Sequence, residues 1–153
     1  MKKILAMLLA LVMVLSLAAC ASTQPAAEPA ASSDAPAESG KTYTVGVCQL
    51  VQHEALDAAT QGFVDALKEA LGDAVTIDVQ NASGDSVNCG TIVNGFVSKG
   101  VDLIMANATP ALTAAVSATA DIPILGTSIT AYGVALDIDD FNGTVGGNVS
   151  GTS

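Results

Sequence analysis

The chain has 153 residues, enough for one ordinary domain, with 15 acids against five basic residues and a net charge of −10. That balance excludes a nucleic-acid surface, because no basic patch is available to meet phosphate. With no Trp, three Phe and two Tyr, few aromatic side chains are on hand to line a pocket.

Met1-Lys2-Lys3 and the apolar run Ile4 to Ala19 have the basic start and short apolar core of a secretory signal peptide, residues 1–19. The run is too short for a membrane span and ends in small residues. Leu17-Ala18-Ala19-Cys20 resembles the bacterial lipobox, in which the peptide is cut before the Cys and that Cys is lipidated. An ordinary cleavage site in a soluble exported protein is the other reading. A lipidated Cys20 holds the mature chain on the membrane, at its extracytoplasmic face, without spanning it. Residues 20–40 are Ala, Pro, Ser and Glu with almost nothing to bury, and they read as a disordered tether. Removing Lys2 and Lys3 leaves three lysines against fifteen acids, so the mature charge is −12.

The folded domain starts near Lys41. Thr42 to Cys48 is the first predicted strand, with Tyr43, Val45 and Val47 on one face. A helix follows from His53 to Leu71, where Leu56, Ala59, Phe63 and Leu67 recur at helical spacing. Gly72 and Asp73 close it. Val75 to Gln80 is the second strand, Asn81 to Asp85 a polar loop, and Ser86 the predicted N-cap of a helix running to Lys99. Val101 to Ala106 is a short buried strand that stops at Asn107 and turns into a third helix. Thr109 suits its N-cap and Pro110 its first turn, and the helix runs to about Thr119. Ile122 to Gly126 is the fourth strand and Thr127 to Thr130 the next loop. Val134 to Asp137 reads as a short strand. From Asp139 to Ser153 no closing element is expected.

Alternating strands and helices imply an α/β fold, a Rossmann-like parallel sheet with helices on both faces. Ligands of such sheets sit at the carboxyl ends of the strands, near the point where strand order reverses. Four polar loops fall at that edge, at residues 49–53, 81–85, 107–109 and 127–130. Their neutral hydrogen-bonding groups and helix N-termini suit a small zwitterion or carboxylate. Thr109, with Thr127, Ser128 or Thr130 beside it, supplies donors. Gln49 lies at a strand tip. His53 either touches ligand or simply starts its helix, and Asp57 and Asp85 read as solvated or capping charges.

No catalytic set is present: His53 has no partner at a nucleophile elbow, and neither a phosphate-binding loop nor a dinucleotide fingerprint occurs. The spacing of the Cys residues and the lone His gives no metal pattern, and no cofactor is implied. Cys48 and Cys89 read either as a disulfide of an exported protein or as two small buried thiols.

Several stretches carry a resemblance. Gly46-Val47-Cys48-Gln49, His53 to Ala59, Gln80 to Asp85, Asp102 to Ala111 and Asp121 to Gly126 are similar to the substrate-binding lipoproteins of ABC importers. They most resemble the branch that binds tryptophan or other aromatic amino acids. The resemblance covers residues 41–153. It implies a two-lobe type I periplasmic-binding fold that closes on ligand and presents it to a membrane permease with its ATPase. Residues 41–142 would then be the N-terminal lobe, and 143–153 the hinge toward a second lobe. The ligand edge carried over is Gln49, Asn107, Ala108, Thr109, Thr127 and Ser128, with His53 and Thr130. The sequence departs from many relatives at Ala131, where they carry Asp. Two further readings stay open: a lipoprotein sensor acting on a membrane receptor, and an α/β enzyme domain whose catalytic half lies elsewhere.

Overall fold

The computed structural model describes residues 40–153. The signal peptide, the lipidated Cys20 and all but the last residue of the tether lie outside the described residues. Five strands form one parallel sheet in the order β2-β1-β3-β4-β5. They are β1 Tyr43–Gln49, β2 Val75–Asn81, β3 Leu103–Asn107, β4 Ile124–Thr127 and β5 Val149–Gly151. Helices α1 Glu54–Leu71, α2 Ser86–Lys99 and α3 Thr109–Ala118 join the first four strands, and a short α4, Tyr132–Ala135, follows β4. The chain moves outward from β1 to β2, then crosses back over β1 to β3. Strand order therefore reverses between β1 and β3, which opens a crevice at their carboxyl ends.

Strand alternation sorts the side chains between two faces. Cys48, Ile104, Ala106 and Ile124 pack with Val93, Phe96, Leu112 and Ala115 of α2 and α3 into the main apolar core. Gly46 lies on this face because the Phe96 ring occupies the place of a side chain; a Cβ there would lie 2.6 Å from the ring. Val45, Val47, Gln49, Met105 and Asn107 have the opposite parity and are buried on the α1 side. There α1 covers the sheet with a thinner apolar stripe, and Thr60 is its one buried residue.

Two expectations for the distal part of the chain are corrected. Val134 to Asp137 is not a strand: Tyr132–Ala135 is helical. Tyr132 is buried beside Gly126 and Gly151, whose missing side chains leave room for its hydroxyl. Val149–Gly151 is a strand where no element was expected. It is made by backbone pairing with β4, through Ile124 N–H to the Asn148 carbonyl (2.8 Å) and Thr152 N–H to the Gly126 carbonyl (2.9 Å).

Candidate functional site

Because all strands run parallel, the four polar loops share one sheet edge. The backbone ties them into a continuous rim. Leu50 N–H donates to the Asn107 carbonyl (3.2 Å), Ala82 N–H to that of Gln49 (2.8 Å) and Ala108 N–H to that of Thr127 (3.0 Å). Asn81 Oδ1 accepts from Ser83 N–H (2.8 Å), which shapes the β2 loop. Asp85, not Ser86, caps α2, its carboxylate accepting from Val87 N–H at 2.8 Å.

The β3–α3 turn holds the sharpest local feature. Ala108, not Thr109, is the cap residue of α3, with φ 94° and ψ 156°. That region is essentially reserved for glycine, and an alanine stays there only where its surroundings force it. Ala111 and Leu112 N–H both donate to the Ala108 carbonyl (3.1 Å each), and Pro110 has no N–H. The first turn thus offers the Thr109 amide and hydroxyl, where the sequence alone promised a fuller set of helix donors. Thr109 is half-buried. Beside it, Thr127 is half-buried, and Ser128 (φ 58°) and Thr130 are exposed. They flank Ile129, which plugs the core at 1% exposure.

His53 is exposed and caps α1, its Nδ1 accepting from Ala55 N–H at 3.2 Å. Gln49 and Asn107 face inward, and all of their side-chain polar atoms except Asn107 Oδ1 are engaged within the protein. Thr60 Oγ1 donates to Gln49 Oε1 (2.6 Å), and Gln49 Nε2 donates to the Val51 carbonyl (2.9 Å) and to Asp57 Oδ1 (2.5 Å). Asn107 Nδ2 donates to the Leu56 carbonyl (2.8 Å) and to Thr60 Oγ1 (2.9 Å). Asn107 Oδ1 is the one buried side-chain polar atom among the described residues without a partner. Gln49, Thr60 and Asn107 are also the only buried polar residues among those described. Sequence reasoning missed Thr60; Asp57, expected as a solvated or capping charge, is exposed in the first turn of α1 and in addition accepts from Gln49. The available signal was Thr60's place four residues after Leu56 on the core-facing stripe.

The rim's charge is one-sided. Lys41 precedes β1, and Lys68 and Lys99 stand in the last turns of α1 and α2, all at the amino end of the sheet. Glu54 and Asp57 in the first turn of α1 and Asp85 at the cap of α2 lie at the carboxyl end. A carboxylate at this rim meets hydroxyl and amide donors without a lysine, and an ammonium meets carboxylates nearby. Below the rim, Cys48 and Cys89 are two free buried thiols. Burial, and then the neighbouring Cys89, push the Cys48 thiol up to about 12, and burial likewise raises Cys89.

Comparison with known proteins places this chain in a family. Residues 44–153 match the family described as ABC transporter substrate binding protein. The chain belongs to that family. It is 39% identical over 159 residues to a tyrosine-binding protein of Clostridioides difficile strain R20291, covering 99% of this chain and 44% of the relative. The chain therefore spans less than half the length of that curated relative. Among solved structures it is similar to a ligand-free, open substrate-binding protein with adhesive properties from Clostridium difficile. That match has TM-score 0.67 and 43% identity, and covers 73% of this chain and 39% of the other. It is also similar to an ABC domain in complex with L-Trp from Streptococcus pneumoniae, with TM-score 0.66, 36% identity and coverage of 72% and 38%. The sheet and helices of this chain form one lobe of a periplasmic-binding fold.

Proposed function

We propose that this lobe captures an aromatic amino acid at the β1/β3 crevice, together with a second lobe, for delivery to the permease of an ABC importer. The observation that carries the reading is the β3–α3 turn. A strained Ala108, pinned by Thr127, presents the Thr109 amide and hydroxyl at the point of strand reversal. Neutral donors there suit the ligand's carboxylate, and the carboxylates of the rim suit its ammonium. The relatives described with tyrosine and with L-Trp support the aromatic class. Capture is passive: the ligand favours the closed arrangement of two lobes by its better affinity for it, and no bond is broken. In this reading residues 143–153 lead toward the second lobe, and a lipid on Cys20 keeps the protein at the extracytoplasmic face of the membrane.

The test is a thermal-shift screen of the complete two-lobe protein against amino acids and nucleosides. Tyrosine and tryptophan should raise the unfolding midpoint, as any ligand of the native state does. A shift from another class, with none from tyrosine, tryptophan or phenylalanine, overturns the aromatic assignment.

A further inference from the structure

We infer that Thr60 is a positioning residue for ligand capture: buried in α1, it sets the carboxyl tips of β1 and β3 without touching ligand itself. The inference rests on the proposed site at those tips. Thr60 stands between two amides, donating to Gln49 Oε1 (2.6 Å) and accepting from Asn107 Nδ2 (2.9 Å). One hydroxyl so joins the last residue of β1 to the last residue of β3, which pair side by side in the sheet.

Each amide has a second tie. Gln49 Nε2 reaches the Val51 carbonyl at the start of the loop that leads to His53. Asn107 Nδ2 reaches the Leu56 carbonyl, and Asn107 is followed directly by the strained Ala108. Both hydrogens of the Asn107 amide thus go to acceptors on α1. This fixes the side chain and, through it, the backbone entering the Ala108–Thr109 turn. Both amides are buried, Gln49 at 4% and Asn107 at 0% exposure, and each is tied to α1. Removing the hydroxyl leaves Gln49 Oε1 without its donor and takes one of the two acceptors from Asn107 Nδ2, where all three side chains are buried. The tips are then free to shift, and small displacements of binding groups cost affinity.

The experiment compares wild type, Thr60→Val and Thr60→Ser in the complete two-lobe protein, at a temperature where all three are folded by circular dichroism. Calorimetry with L-tyrosine and L-tryptophan should show Thr60→Val binding about tenfold more weakly and Thr60→Ser close to wild type. Hydrogen–deuterium exchange should be faster in Thr60→Val in peptides covering Gln49 to Gln52 and Asn107 to Thr109, and restored in Thr60→Ser. Wild-type affinity in folded Thr60→Val, even with a lowered unfolding midpoint, overturns the inference, because Thr60 would then only fasten a helix. If the wild-type protein binds neither amino acid, the aromatic reading fails by itself. Exchange at the two tips then decides for or against Thr60 alone.

Discussion

The two faces of the sheet are closed by different means. On the α2/α3 side, Phe96 over Gly46, with Val93, Leu112, Ile104 and Ile124, makes a continuous apolar layer. On the α1 side a single helix lies across the strands, and its one buried residue is a threonine held between two amides. Apolar packing is strong but non-directional, so it holds the sheet together without fixing the tip of a given strand. Hydrogen bonds are weaker in net terms and directional, and they fix individual atoms. The α1 side places its directional bonds at the β1/β3 crevice, where a ligand needs stationary partners.

That contrast can be broken from either side. Phe96→Ala should cost the most, about 4 kcal/mol of stability in urea unfolding, because a fully buried ring leaves a cavity over a strand that has no side chain to fill it. Tight binding should persist in whatever fraction stays folded.

High pH should also strike the apolar face first. The buried Cys48 thiol titrates at about 12 in the folded protein against an ordinary 9.0, and burial raises Cys89 and Tyr132 in the same direction. The unfolded chain gives up these protons earlier. Stability is therefore fully present below about pH 9 and falls as pH rises toward 12. Cys48→Ala should flatten that fall, measured as the unfolding midpoint against pH. Gln49, Thr60 and Asn107 do not ionise, so the α1 network contributes nothing to it.

On the polar side, Asn107→Ala should cost about 2 kcal/mol, since it removes two hydrogen bonds and a buried amide. Its affinity loss should exceed that of Phe96→Ala, reversing the order of the stability losses. The smallest effect, and one of opposite sign, belongs to Ala108→Gly. Relief of the φ 94° strain should exceed the entropy that glycine adds to the unfolded chain, for a gain of about 1 kcal/mol. A loss of stability there would show that the turn is not strained.

The same contrast governs what could be read from the sequence. The first four strands and three long helices show as short apolar runs, apolar residues at helical spacing, or a proline at a helix start, because burial on both faces of a sheet and on one face of a helix imposes those patterns. The helix start at His53 and the glycine stop at Gly72 were legible from local signals. Val149–Gly151 has no such pattern, since it is a strand only through pairing with β4. Tyr132–Ala135 is too short to show a helical period, and its geometry follows from the burial of Tyr132 against two glycines. At the rim, polar strand ends were visible, but not which way they face. Gln49 shares the parity of Val45 and Val47, and that parity sends it toward α1, where its partner is a threonine eleven residues on. The cap at Ala108 was hidden because nothing in an alanine announces a positive φ.

The most direct measurement is a calorimetric titration of the complete two-lobe protein with L-tyrosine and L-tryptophan, for wild type and Thr109→Val. Binding by wild type and an affinity about tenfold lower in the variant is the expected result, since the substitution removes a hydroxyl donor at the crevice. Equal affinities in the two proteins would contradict a ligand held at the β3–α3 turn.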